Sequence, residues 1–161
     1  MLELVNYERL RVGLQKYSLC SNLSNVRRKH SIEQERANDI FHHSNLTGSV
    51  GDRIRRDGIW FQSAGENVST SPDLLLSHKG LLQSPGHRAN ILSYDFDQIG
   101  IGIVNRENGQ LFVTQVFTKS VKELEIFNYI SSTQIRLQEI RRSKNLPKLS
   151  FLQLNCLKYA C

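Results

Sequence analysis

Hydrophobic residues recur every three or four positions in the first quarter of the chain, which predicts two amphipathic helices. The first covers residues 2–15 and closes near Gly13. The second runs from Ser24 to about Ile40. Ser21, Asn22 and Ser24 are candidate caps, and we favour the Ser24 hydroxyl, since a serine at a helix start can accept hydrogen bonds from the free backbone N–H groups.

A polar, glycine-containing stretch at 44–51 interrupts this pattern and predicts a loop. Residues 52–57 then fit a short helix that Gly58 ends. A further helix is expected from Pro72 to Leu82, because proline is favoured in the first turn of a helix.

Alternation of apolar residues near position 100 predicts two adjacent strands. In 98–104 the isoleucines fall on every second residue with glycine between them, so one face packs and the other lets a neighbouring backbone or side chain approach. Residues 111–117 are the natural partner, and the connection 105–109 ends in Asn-Gly, which favours an antiparallel hairpin. Another strand includes 65–69. This succession of helices and short strands indicates an α+β or α/β sandwich, not a parallel doubly wound sheet.

The character of the chain changes after the hairpin. Residues 122–142 show the charged, amphipathic pattern of a long helix, and Pro147 separates it from the last segment. We therefore expect a main domain at 1–118 and a helical C-terminal extension at 119–161.

Composition fits one compact domain with an appendage: 161 residues, of which 39% are hydrophobic and 22% charged. No apolar run approaches the ~18 residues that a membrane-spanning helix needs, so no transmembrane segment is expected. The start, Met1-Leu-Glu-Leu-Val5, lacks the basic and apolar regions of a signal peptide. This leaves either a cytosolic protein or a processed form.

The net charge of +6 favours acidic partners such as anionic membranes or surface polysaccharides. The basic clusters, for example Arg27-Arg28-Lys29, lack interleaved aromatic residues, which disfavours nucleic acid. The three cysteines argue against a disulfide framework. A bridge between Cys156 and Cys161, or between either of them and Cys20, stays open.

Three turns carry residues suited to chemistry. His43 follows the end of a helical pattern, His87 follows a Pro-Gly turn, and Glu66 lies between Gly65 and Asn67, whose amide can bond a neighbouring loop. Two imidazoles and a carboxylate could converge as three ligands of a divalent ion such as zinc, with a fourth position open to water.

The same side chains could instead cap helices or satisfy hydrogen bonds in the core. Arg88 and Asn90 would then bond backbone carbonyls. A serine hydrolase is disfavoured: Ser44 and Ser84 lie near histidines in sequence, but neither sits in a Gly-x-Ser-x-Gly elbow.

Several segments resemble, in order and spacing, the bacterial domains of the CAP superfamily (cysteine-rich secretory protein, antigen 5, pathogenesis-related 1). The likeness covers about residues 3–118 and implies a three-layer α/β/α sandwich with a short, mainly antiparallel central sheet and a central cleft. The segments that carry it are Leu4-Val-Asn-Tyr-Glu-Arg9, His30-Ser31, Phe41-His-His43-Ser44, Ala64-Gly-Glu-Asn-Val68, Ser84-Pro-Gly-His-Arg-Ala-Asn-Ile-Leu92 and Asp95-Phe-Asp-Gln-Ile-Gly-Ile-Gly-Ile103.

The resemblance implies a cleft of two His and two Glu, in some members with a divalent metal. The stretch 80–84, which matches the position of the second Glu, has no carboxylate, so we expect zinc to be weakly bound or absent. By motif match the metal set is His43, Glu66 and His87, and the wider ligand-binding set adds Asn67, Arg88 and Asn90.

Members of this superfamily are mostly secreted or surface-exposed, and no single activity defines them. We therefore expect an extracellular or outer-surface protein that acts as a non-enzymatic binding module for a lipid, a sterol, or a host or envelope partner. One alternative is a metal-dependent hydrolase, protease or esterase, with Glu66 as ligand or general base. Another is a protein-interaction scaffold whose cleft is vestigial.

Overall fold

The computed structural model describes residues 1–121 and 123–146, except for the side chains of Ser24 and of residues 123–127. The expectations for Pro147 and for the two C-terminal cysteines lie outside these residues. The helices are α1 (Leu2–Arg11), α2 (Leu23–Ala37), α3 (Val50–Arg56), α4 (Leu74–Gln83), α5 (Pro85–Ile91) and α6 (Glu123–Ser143), and the strands are β1 (Ser18–Leu19), β2 (Phe61–Ser71), β3 (Gln98–Asn105) and β4 (Leu111–Ser120).

The strands form one sheet in the order β1-β3-β4-β2. Strands β3 and β4 make the predicted antiparallel hairpin, and β2 pairs antiparallel with the other edge of β4. Among the strands of the described residues, only β1 is parallel to its neighbour, β3. This two-residue strand was not predicted, because it is too short to show an alternating pattern.

Each face of the sheet is covered by helices, which confirms the predicted α+β three-layer sandwich. Consecutive residues of β4 supply the two cores, since side chains alternate across a strand: Phe117 faces α1, α4 and α5, and Val116 faces α2 and α3. The first core contains Val5, Tyr17, Leu81, Ile91, Ile99 and Phe117. The second contains Cys20, Leu23, Val26, Ile54, Ile59 and Val116.

The bare glycine face of β3 admits a close neighbour, as predicted, and the structure shows that this neighbour is α2. A Cβ added at Gly100 would lie 2.7 Å from the Cβ of Leu23, and one at Gly102 would lie 2.9 Å from the backbone of Arg27. Helix α2 therefore lies close against the sheet. Its position determines where the helix ends and where the following loop, which carries His42, begins.

The boundaries of α2 differ from the prediction at both ends. The helix begins at Leu23 with Asn22, one of the three candidate caps, in the N-cap position, so the preference for Ser24 is wrong. It ends at Asn38, whose φ of 52° is left-handed, before Ile40 is reached. An asparagine in this conformation stops a helix as a glycine does.

Helix α6 confirms the long helix predicted after the hairpin. Its Tyr129 ring packs edge-on against Trp60, with ring centroids 5.2 Å apart, and so contacts the segment between α3 and β2. Within the described residues, no helix is both long enough and apolar enough to span a membrane.

Candidate functional site

Glu66 and Arg53 form a buried ion pair, and with His42 and His87 they make up the group of residues that is called the cleft below. Glu66 lies in the middle of β2 and its side chain is 3% exposed, while the Arg53 side chain, from α3, is 4% exposed. The Arg53 Nη2 donates a hydrogen bond to the Glu66 Oε2. Two charges withdrawn from water in this way are stable only in close contact with each other.

Helix α3 is short, and its capping fixes where Arg53 points. The Ser49 hydroxyl accepts from the Asp52 backbone N–H, while the Asp52 carboxylate accepts from the Ser49 backbone, so the two residues form a capping box. From this helix the Arg53 Nη1 donates to the carbonyl oxygens of Gly48 at 2.7 Å and His42 at 3.2 Å. Arg53 thus fastens the loop 42–48 to β2.

His42 contacts the same carboxylate. Its Nδ1 lies 3.1 Å from the Glu66 Oε1, and its side chain is 57% exposed. The hydrogen bond with Glu66 raises the pKa of His42, against the opposing effects of partial burial and of the Arg53 charge. Both oxygens of Glu66 are therefore engaged by side chains of the protein.

His87 is partly buried and lies beside His42. It lies in α5, whose first residue is Pro85, and its ring centroid is 6.1 Å from that of His42. Partial burial and the neighbouring His42 lower the pKa of His87. The two imidazoles thus lie side by side, and His42 also contacts the buried ion pair.

The structure places His42, and not His43, in this group, which corrects the set expected from the sequence. The side chain of His43 is exposed and lines a separate surface depression of about 590 Å³ with Phe41 and Leu46. The bonds from Arg53 and Glu66 hold residue 42 against β2, so the following side chain is directed elsewhere.

His30 is a further histidine near the cleft that the sequence analysis did not place there. It is almost wholly buried, and its Nε2 donates to the Phe41 carbonyl oxygen at 2.8 Å and lies 3.9 Å from the Glu66 Oε1. Its Nδ1 lies 3.5 Å from the Glu33 Oε2. His30 therefore holds the loop that carries His42, and the only sequence signal for it was its inclusion in the family-like segments.

Two asparagines position the backbone of the site. The Asn67 Nδ2 donates to the His87 carbonyl oxygen and to the Gln115 Oε1, both at 3.0 Å. The Asn90 Nδ2 donates to the Glu66 carbonyl oxygen at 3.2 Å and to the Asn67 Oδ1 at 2.9 Å. Asn67 thus bonds a helix and a strand, where the sequence suggested a neighbouring loop, and the Asn90 bond to the Glu66 carbonyl is the one expected if Asn90 has a structural role.

Arg88 does not join the cleft. Its exposed side chain lines a small depression of about 250 Å³ together with Glu8 and Arg11 of α1. The side chains of residues 87 and 88 point in different directions because consecutive residues of a helix are about 100° apart.

The two serines near histidines in sequence have no nucleophilic arrangement. Ser44 is buried; its hydroxyl donates to Glu33 and accepts from the backbone N–H groups of Leu46 and Thr47. Ser84 lies at the N-cap of α5. In the part of the chain that the structure describes, neither hydroxyl is hydrogen-bonded to His42 or His87.

The arrangement does not fit the zinc site that the family resemblance implies. A divalent ion would need the Glu66 carboxylate, but Arg53 already supplies the positive charge there and His42 engages the other oxygen. A second cation beside a guanidinium would be repelled. Among residues 1–121 and 123–146, no three His, Cys, Asp or Glu side chains are grouped as a metal ion requires.

The chain is similar in sequence and fold to bacterial proteins. The chain is 34% identical over 122 residues to the uncharacterized protein YkwD of Bacillus subtilis, which covers 74% of this chain and 46% of that protein. The crystal structure of an extracellular protein containing a SCP domain from Bacillus anthracis superposes with a TM-score of 0.68 at 32% identity, covering 74% of this chain and 39% of that one. The chain therefore spans less than half the length of either relative.

A more distant solved structure shares the fold. An outer surface protein of Borrelia burgdorferi superposes with a TM-score of 0.68 at 18% identity, over 74% of this chain and 90% of that one. The profile of the cysteine-rich secretory protein family, CAP, matches residues 2–117, which corresponds closely to the range expected from the motifs. The chain belongs to the CAP family.

Proposed function

We propose that this chain is a non-enzymatic binding module of an extracellular or surface-exposed protein, and that it contacts its partner through the cleft at His42 and His87. One observation carries the proposal: the Glu66 side chain is 3% exposed and paired with Arg53. A general base or a ligand of a catalytic metal must reach substrate or metal, and this carboxylate is directed into the protein.

The partner is a lipid or sterol, or a host or envelope component. The net charge of +6 favours partners that carry anionic groups. An extracellular location is supported by the Bacillus anthracis relative, which is described as extracellular. The imidazoles of His42 and His87 would then offer hydrogen bonds to the polar part of the partner.

Binding to vesicles and labelled ligands tests the lipid form of this proposal. Co-sedimentation is measured with phosphatidylcholine vesicles, with and without cholesterol or phosphatidylglycerol, and equilibrium binding with labelled fatty acid. We expect saturable binding to at least one of these, weakened at least several-fold by His42→Ala together with His87→Ala. His43→Ala is the matched control, since His43 is exposed but lies outside the cleft.

The outcomes separate the alternatives. Saturable binding that the double variant leaves unchanged would show that the binding site lies outside the cleft. No saturable binding to any of these probes would exclude lipids and sterols as the partner.

The hydrolase alternative is tested with peptide and ester substrates. Turnover that disappears both with a chelator and in His87→Ala would replace the binding module with an enzyme.

A further inference from the structure

We propose that the Arg53 guanidinium fills the cation position of this cleft, so that the folded protein holds Glu66 with a side chain and not with a metal ion. The inference concerns how the cleft is assembled and is independent of which partner it binds. It rests on the contacts that one arginine of α3 makes with two other segments of the chain, the loop 42–48 and β2.

Charge is the first reason. A carboxylate that is 3% exposed needs a positive charge close by, because burying it alone is very costly. Arg53, itself 4% exposed, provides that charge through its bond to the Glu66 Oε2. The remaining oxygen, Oε1, is bonded to His42 Nδ1 at 3.1 Å, so the carboxylate is neutralised and hydrogen-bonded without any ion.

The second reason is that Arg53 also joins separate segments, as a shared ion would. Its Nη1 bonds the carbonyl oxygens of His42 and Gly48, while Nη2 bonds Glu66. The guanidinium thereby connects the loop 42–48, α3 and β2 at one point. A planar group with fixed donors is suited to this, since it directs several hydrogen bonds from a single charge.

Thermal unfolding of the unmodified chain gives the first test. The protein is dialysed against EDTA, and its unfolding midpoint is measured with and without added Zn²⁺. We expect the same midpoint in both conditions. A midpoint that rises saturably with Zn²⁺ in the unmodified chain but not in Glu66→Gln would show that a metal binds this carboxylate, and would overturn the proposal.

Removing the guanidinium gives the second test. Arg53→Gln should lower the midpoint, because Glu66 then lies buried without a counter-charge. Zn²⁺ should restore part of the loss in a saturable manner, since the cation position is then empty and His42 and Glu66 remain. Arg53→Gln combined with Glu66→Gln should unfold at a higher temperature than Arg53→Gln alone and should not respond to Zn²⁺.

Arg9 provides a matched control. It is as buried as Arg53, at 3% exposed, but its guanidinium donates to the carbonyl oxygens of Gln15, Ile91 and Ser93. Arg9→Gln should therefore lower the midpoint without any Zn²⁺ response. Equal responses of Arg9→Gln and Arg53→Gln to Zn²⁺ would contradict the proposal. If Arg53→Gln does not fold, the unmodified chain and Glu66→Gln still decide, because a saturable Zn²⁺ response that is present in the first and absent in the second would overturn the proposal.

Discussion

At the scale of single residues, the cleft is held by polar side chains that are almost wholly out of water. Asn67 shows the principle: it is 0% exposed, and its amide bonds the backbone of α5 and the side chain of Gln115 in β4. Such groups stabilise a site only while every partner is satisfied, because an unpaired buried donor or acceptor costs more than a good hydrogen bond contributes.

Asn67→Ala should therefore destabilise the protein by about 1–3 kcal/mol, since it leaves the acceptors on Gln115 and His87 unpaired. The free energy of unfolding from urea titration measures this. Asn25→Ala, at an exposed position of α2, is the control and should change stability by no more than about 0.5 kcal/mol. Equal effects of the two substitutions would show that the buried amide network contributes nothing to stability.

His78 predicts a pH dependence. It is 4% exposed, neither ring nitrogen has a hydrogen-bond partner among the described residues, and burial lowers its pKa, against a smaller opposing effect of Glu8. Above about pH 6.5 the ring is neutral in both states. As pH falls below that value the unfolded chain binds the proton first, so the free energy of unfolding decreases.

The comparison is between the unmodified chain and His78→Leu, with stability measured by urea titration from about pH 8 down to about pH 4.5, a range that spans the ordinary histidine pKa. The unmodified chain should lose stability more steeply below about pH 6.5 than the variant. Parallel curves for the two proteins would mean that His78 is protonated as easily in the folded state as in the unfolded one.

At the scale of elements, the site depends on how closely α2 approaches the sheet. Gly100 and Gly102 permit this approach, and α2 then ends at Asn38 so that the loop after it can reach Arg53 and Glu66. The hairpin of β3 and β4 is also tied to this helix, because Arg106 pairs with Glu35. Displacement of α2 would therefore be transmitted to the loop that carries His42.

Two glycine substitutions should have opposite effects. Gly102→Ala places a Cβ 2.9 Å from the Arg27 backbone, which cannot rotate away, so we expect a loss of about 1–3 kcal/mol. Gly80→Ala in α4 meets nothing within 4 Å and should stabilise by up to about 1 kcal/mol, because alanine favours a helix over glycine. Chemical denaturation measures both, and a neutral Gly102→Ala would contradict the close packing of α2.

At the scale of the whole molecule, the domain that matches the family and the helix that follows it meet at Trp60 and Tyr129. Trp60 is the single tryptophan of the chain, so tryptophan fluorescence reports on the surroundings of this one indole. An aromatic pair of this kind contributes about 0.5–1.5 kcal/mol beyond its buried area.

Tyr129→Ala should shift the Trp60 emission to longer wavelength, because the indole becomes more exposed to water. Ile135→Ala, on an exposed part of α6, is the control and should leave the emission unchanged. An emission spectrum that is the same in Tyr129→Ala and the unmodified chain would show that α6 does not rest on Trp60 in solution. Steady-state spectra under native conditions suffice for the comparison.

The local elements of this protein could be predicted because their signals lie within short stretches of sequence. The alternating isoleucines and the Asn-Gly turn determined the β3–β4 hairpin, and the glycines between them marked the face that a neighbour approaches closely, though not that the neighbour is α2. The family-like motifs identified the fold class. Strand β1 was not predicted, because a strand of two residues is too short to show a period. The start of α2 was placed wrongly, because several polar residues there compete to cap the helix.

The composition of the cleft was decided by the tertiary structure. Two adjacent histidines, His42 and His43, offer the same chemistry in sequence, and only the bonds from Arg53 and Glu66 select which of them faces the site. The ion pair of Arg53 with Glu66 could not be predicted either. Helix α3 and strand β2 each have a local sequence pattern, but neither pattern specifies how the two elements are oriented toward each other. Periodicity determines elements, whereas the pairing of buried charges depends on how the folded elements meet.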